Sequence, residues 1–237
     1  MHNVMLLNPK GGCGKTTLAT NLASFYAAHG LSTALVDYDA QGSSTRWLAI
    51  RPLALPPIHG VAAYRKPAGV TRSWHLRLPG GTQRVVTDTA AGVAVPQLAE
   101  LVTRADSIVV PVLPSHIDID AAFDFIDALS RMKQVRAGKP RIAVVINRVR
   151  ANATIYQQIE RFLDRARLAV VARLRDTQEY VRAGQAGLGV HELGGRHAAP
   201  DREQWAPLLG WIEKRPEQEF SSRAVASGPA RGAYALS

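Results

Sequence analysis

Cysteine is almost absent from these 237 residues: there is one, Cys13. Without partner thiols the chain can build neither a disulfide framework nor a Cys-ligated iron–sulfur cluster, and a reducing cytoplasm is the compartment to expect. Long apolar runs are missing too. No stretch approaches the roughly 20 residues of a membrane-spanning helix. The first apolar run, Val4-Met5-Leu6-Leu7, is too short for a secretory leader, so a soluble protein is expected. Acidic residues are scarce, 19 against 29 basic, for a formal charge of +10. Residues 131–182 alone hold thirteen Lys and Arg against four Asp and Glu. A surplus placed in this way points to a polyanionic partner, nucleic acid or an acidic membrane surface.

What is present starts directly after Val4–Leu7: Asn8-Pro9-Lys10-Gly11-Gly12-Cys13-Gly14-Lys15-Thr16-Thr17. A strand feeding a Gly-rich turn that ends in Gly-Lys-Thr is a phosphate cradle. Its glycines let successive N–H groups converge on phosphate oxygens, Lys15 supplies a charge to the β- and γ-phosphates, and the Thr16 hydroxyl can ligate Mg²⁺. Gly11, Gly12, Cys13, Gly14, Lys15, Thr16 and Thr17 are therefore the nucleotide-binding candidates, with Cys13 a small spacer rather than a nucleophile. Pro9 stands where an ordinary P-loop has its first glycine, and a second lysine, Lys10, follows it. The string KGGCGKTT resembles the deviant Walker A motif of the ParA/MinD family of ATPases.

Two more acidic turns follow apolar runs. Ser32–Val36 leads into Asp37-Tyr38-Asp39-Ala40-Gln41-Gly42, and Val85–Thr87 into Asp88-Thr89-Ala90-Ala91-Gly92. Carboxylates at strand C-termini lie where open α/β sheets place their chemistry. The first turn resembles the family's DxDPQG switch, with Ala40 in place of the proline. The resemblance implies that Asp39 orients the attacking water and that Asp37 supports either the Mg²⁺ shell or the loop. Asp88 has the place of a Walker B carboxylate reaching Mg²⁺ through water, and Gly92 that of a flexible N–H near the γ-phosphate. Thr16, Asp37 and Asp88 are thus the metal candidates, and Lys10, Lys15 and Asp39 the catalytic ones.

The remaining periodicity predicts helices over 16–29, 95–104, 118–135 and 202–214 and strands over 107–113, 141–146 and 168–174. Residues 51–83 carry five prolines, so long elements are unexpected there, although Trp74–Leu78 alternates like an edge strand. Pro114–Asp120 resembles the family's P-x-x-x-D-x-D turn and Gln185–Glu192 its G-x-x-V-x-E turn. Asn147, at a strand end, resembles the residue that reads the adenine edge with one donor and one acceptor; a capping role fits it equally. The stripe Trp205, Leu208, Leu209 and Ile212 reads as core packing rather than a membrane face. The tail beyond Pro216 has no periodic apolar face and is expected to be disordered.

The strand–helix alternation predicts an α/β fold, a mainly parallel twisted sheet with helices on both faces, over residues 1–215. By resemblance this is a P-loop ATPase that uses ATP and Mg²⁺ and closes into a sandwich homodimer on ATP binding, Lys10 reaching the partner's phosphates. It hydrolyses ATP slowly, and a ParB-like or cargo-adaptor protein stimulates it. Such ATPases bind nucleoid DNA without reading sequence. Arg148, Arg150, Arg161, Arg165, Arg167, Arg173 and Arg182 are the candidate contacts in this chain, with Arg175 beside them. Partition or positioning of a plasmid, chromosome region or protein assembly would follow. The rivals are a MinD-like membrane-cycling regulator and a metabolic P-loop ligase of the dethiobiotin or cobyrinic-acid type.

Overall fold

A computed structural model describes residues 1–65, 68–69, 71–93, 95–150 and 170–214. The seven described strands are β1 His2–Leu6, β2 Thr33–Asp37, β3 Ile58–Ala62, β4 Arg84–Asp88, β5 Ser107–Val112, β6 Arg141–Val149 and β7 Val170–Arg175. They form one sheet, parallel throughout, in the order β3-β2-β4-β1-β5-β6-β7. The chain works outward from β1 to β3, returns to β4, and then fills the other side. β1 is consequently the point where strand order reverses, and the crevice at its C-terminal end is where such sheets bind ligands.

Successive strand residues point to opposite faces, and the sequence uses both. Val4 and Leu6 enter a core with Leu18, Leu22 and Tyr26 of α1 (Lys15–Ala28), Trp47 of α2 (Ser43–Ala49) and Trp205 and Leu208 of a C-terminal helix, Ala199–Glu213. Met5 and Leu7 enter the opposite core, against Leu101 of the helix Val95–Arg104 and Ile119, Ile126 and Leu129 of the helix His116–Arg131. Trp205 and Leu208 are fully buried and Ile212 nearly so, as the core reading of that stripe requires. Among the described residues no helix is long and apolar enough to cross a membrane.

Two expectations need correction. The edge strand is Ile58–Ala62, paired with β2, whereas Arg72–His75 forms a helical turn and Leu76 and Leu78 pack on the second core. Alternation at Trp74–Leu78 therefore reflects packing of a loop, while the true strand hides between prolines and needs Gly60, whose Cβ would lie 2.5 Å from Leu48. The long helix also ends earlier than its apolar spacing implies. Met132 adopts an extended backbone (φ −65°, ψ 138°) and a separate turn, Lys133–Arg136, follows. The expected tail, 216–237, lies outside the described residues, as do positions 168–169 of the last expected strand.

Candidate functional site

The loop after β1 is held in shape by its own polar groups. Asn8, buried, donates from Nδ2 to the Pro111 carbonyl (2.7 Å) and accepts the Lys10 N–H (2.9 Å). Gly12 and Gly14 take left-handed backbones (φ 75° and 99°), and a Cβ on Gly14 would sit 2.2 Å from Asn147 Nδ2. Only glycine fits there, because the backbone conformation and the close approach both exclude a side chain. Gly14 opens α1 without a side-chain cap, and no acid occupies the first turn. The orphan N–H groups of that 14-residue helix face the loop, with the positive end of its dipole.

The two lysines have separate environments. Lys15 is buried, its ammonium donating to the carbonyls of Asn8 (3.0 Å) and Lys10 (2.9 Å) inside the loop. Lys10 points away and pairs with Asp118 at 2.7 Å. The Lys10 hydrogen bond, with a further one from Ser115, holds the Asp118 carboxyl below its usual range. Cys13 is buried with its thiol pushed up by desolvation, the state of a spacer rather than a nucleophile.

β2 and β4 bring the acids beside this loop, with Asp37 and Asp88 at paired positions. Asp37 accepts from the Asp39 N–H (3.0 Å), the Thr45 N–H (2.9 Å) and the Thr45 hydroxyl (2.8 Å). In this arrangement its carboxylate braces the turn, one of the two roles the resemblance allows. Asp39 accepts the Gln41 N–H (2.9 Å) and is partly exposed. Asp88 differs from both. It is buried, neither oxygen has a hydrogen-bond partner, and burial lifts its carboxyl to about 7. The Thr16 and Ser44 hydroxyls favour its charged form without reaching hydrogen-bond geometry, while Asp37 opposes it. Ser44 Oγ is itself buried without a partner. An orphaned carboxylate between two hydroxyls is a donor set suited to Mg²⁺, which takes one or two carboxylates and completes its shell with water and phosphate. No cluster of three or more His, Cys, Asp or Glu side chains that could hold a metal occurs among the described residues. The Gly92 N–H, expected near a γ-phosphate, here donates to the Pro9 carbonyl (3.1 Å) and ties the Asp88 turn to the loop.

A cavity of about 310 Å³ opens beside Thr17, lined by Asn147, Arg148, Arg175, Thr177 and Tyr180. Asn147 donates to the Cys13 carbonyl (2.9 Å), so its nitrogen braces the loop beside the cavity. Arg148 lines the same cavity from a left-handed backbone (φ 55°), rare for a long side chain. The basic face is less open than its composition implies. Arg150 pairs with Asp176 (2.9 Å), Arg182 with Glu179 (3.0 Å), and Arg175 is anchored on buried Asp201 (2.5 Å). Arg173 is exposed; Arg161, Arg165 and Arg167 lie outside the described residues.

Strand, loop, uncapped helix and orphaned carboxylate together form a nucleotide cradle, and residues 4–190 match the model of the CobQ/CobB/MinD/ParA nucleotide binding domain. The chain belongs to this family. Within it, the chain is 28% identical over 203 residues, 83% of its length and 91% of the relative's, to the maintenance of carboxysome distribution protein A of Halothiobacillus neapolitanus. It is also 28% identical over 189 residues, 68% and 74% of the two lengths, to the chromosome-partitioning ATPase Soj of Thermus thermophilus. Among solved structures, the ATP complex of a Cyanothece McdA variant superposes with a TM-score of 0.65 at 16% identity, covering 89% of this chain and 94% of that one. A likeness that distant shows the fold alone.

Sequence reasoning missed Asn8, Ser44 and Thr45, although the run Ser43-Ser44-Thr45 directly after the DxDAQG turn was the signal. It also missed Arg51. Inside the G-x-x-V-x-E turn, buried Glu192 holds this residue through two contacts of 2.5 and 2.9 Å.

Proposed function

We propose that this ParA/MinD-like protein is a slow Mg²⁺-dependent ATPase that dimerises on ATP, binds DNA without sequence preference, and positions a cargo inside the cell. The observation that carries the reading is the pair of lysines, Lys15 buried within its own loop and Lys10 directed outward from it. On this reading Lys15 serves the nucleotide of its own chain, and Lys10 serves a partner's. In the nucleotide-bound chain Lys15 and the N–H groups of residues 11–17 bind the phosphates, and the α1 dipole favours their charge. Asp39 orients water for in-line attack, and the Asp37–Thr45 brace fixes the turn that carries it. Thr16 and Asp88 would hold Mg²⁺, which when bound neutralises charge on the β- and γ-phosphate oxygens.

Lys10 must leave Asp118 before it can reach a partner, which makes association depend on a local exchange of ion pairs. Arg148 and Arg173, not neutralised by acids among the described residues, are the arginines best placed for DNA. A cytoplasmic, nucleoid-associated protein stimulated by a cargo adaptor is the cellular counterpart. The relatives named for carboxysome distribution and chromosome partitioning support a positioning role. Phosphate release with Mg²⁺-ATP, together with retardation of arbitrary duplex DNA at low salt, tests the reading. Absence of phosphate release removes the ATPase; absence of retardation removes the DNA partner.

A further inference from the structure

Between Asp39 and Asp88 the chain contains no acidic residue, yet it holds seven Arg and Lys. Two of these, Arg51 and Arg84, are engaged by Glu192 and Glu213. Arg65 and Arg77 have no acidic partner among the described residues: both are exposed, and each covers a ring, Arg65 over Tyr64 (5.6 Å) and Arg77 over Trp74 (5.3 Å). Trp74 is 64% exposed, a large apolar surface to leave in water. Together with Leu78 and Pro79, Trp74 and Arg77 bound an open depression. An exposed tryptophan and arginine sharing a depression whose lining residues include no acid have the composition of a binding hot spot. None of them takes part in the nucleotide site.

A cavity of about 250 Å³ opens beside the loop, lined by Leu76 and Leu78 together with Met1, Met5, Val36 and Val85. The same segment is wired to the switch turn. His75 Nε2 meets the Ala62 carbonyl (2.8 Å) at the end of β3, and two residues on, the Tyr64 N–H donates to the Asp37 carbonyl (3.2 Å). The Tyr64 hydroxyl closes over Gly42, where a Cβ would lie 2.7 Å from it. Gly42 ends the turn that begins at Asp37, and its N–H donates to the Asp39 carbonyl (2.8 Å).

We propose that the Trp74–Arg77 face is a docking surface for an acidic peptide segment of a protein partner, one carrying a bulky apolar residue, and that Tyr64 transmits its occupancy to the Asp37–Gly42 turn. Carboxylates meet Arg77, and the apolar side chain covers Trp74. Charge complementarity selects the partner: an acid-free, arginine-bearing surface favours an acidic chain and repels a basic one. The docking claim stands on its own; the transmission to the turn rests on the ATPase reading.

A fluorescein-labelled glutamate-rich peptide with a central phenylalanine serves as probe, its polarisation titrated with the full chain at moderate salt. Trp74 and Arg77 are exposed, so Trp74→Ala and Arg77→Glu leave the fold intact. Each is expected to weaken binding roughly tenfold, whereas Arg131→Glu, at the end of the helix His116–Arg131, leaves it unchanged. Equal binding by all four proteins, or none by the parent, overturns the docking claim. Loss of duplex DNA retardation in place of peptide binding overturns it too, and makes the face a nucleic-acid surface. Tyr64→Ala is expected to bind the peptide like the parent while losing the peptide's effect on ATP turnover; an unchanged effect overturns the relay. Should the parent hydrolyse no ATP, the polarisation titration still decides whether the face docks an acidic peptide.

Discussion

Replacing Asp88 with Asn should stabilise the protein without nucleotide while disabling it with nucleotide. Burial lifts the Asp88 carboxyl from an ordinary 3.8 to about 7, and no hydrogen bond offsets this. The folded state therefore holds a proton that the unfolded chain has released across this window. Stability falls as pH rises from about 4 to 7, and the full cost of ionising the buried group is present above 7. About three pH units at 1.36 kcal/mol each sets an upper limit of roughly 4 kcal/mol. A buried amide at the same place still costs about 1–2 kcal/mol, reduced if the Thr16 and Ser44 hydroxyls accept from it. Asp88→Asn should therefore gain about 2–3 kcal/mol at pH 8, a rise in melting temperature of roughly 5–10 °C. Towards pH 5 the gain should shrink to near zero.

His191, which burial holds neutral down to about 4, loses stability in the opposite sense on acidification. That loss is common to both proteins and cancels in the difference. Thermal melts at pH 5, 6.5 and 8, with and without Mg²⁺-ATP, are the assay. With Mg²⁺-ATP the order should invert, because the parent gains more from ligand binding than the variant does. A variant less stable than the parent at pH 8 without nucleotide, or an advantage independent of pH, would refute the reasoning.

Other consequences are simpler. Asp118→Asn frees Lys10; the pair is solvent-screened, with the Lys10 side chain 40% exposed, so each is worth roughly 0.5 kcal/mol. Two released pairs per dimer give about fivefold tighter ATP-dependent association by sedimentation equilibrium, and weaker association would count against the exchange. Arg51→Ala strands Glu192 as a buried, unpaired charge and should cost about 3–5 kcal/mol in urea unfolding. Gly14→Ala should abolish nucleotide binding, measured with a fluorescent ATP analogue, while circular dichroism stays that of the parent, since the clash is confined to the loop and Asn147.

The sheet and the nucleotide loop were legible because each is a short-range pattern. A four-residue apolar run before Gly-Lys-Thr, and buried runs before Asp37 and Asp88, are fixed by local chemistry that no distant contact overrides. Residues 51–83 were not legible for the converse reason. The strand Ile58–Ala62 exists because β2 offers it an edge and Gly60 lets Leu48 approach, and neither fact is visible in IHGVA itself. The same holds for polar partners. That Lys10 finds Asp118, 108 residues later, and that Arg51 finds Glu192, 141 residues later, depends on the finished fold. Asp37 shows a middle case: its place at the strand end could be read, but whether it faces a metal or the Thr45 backbone could not.

Sedimentation velocity of the parent and Lys10→Ala, each with and without Mg²⁺-ATP, tests the central claim most directly. The account predicts that ATP converts the parent from monomer to dimer, whereas Lys10→Ala binds ATP in its own loop through Lys15 and stays monomeric. A parent that remains monomeric with ATP, or a Lys10→Ala variant that dimerises like the parent, would contradict it.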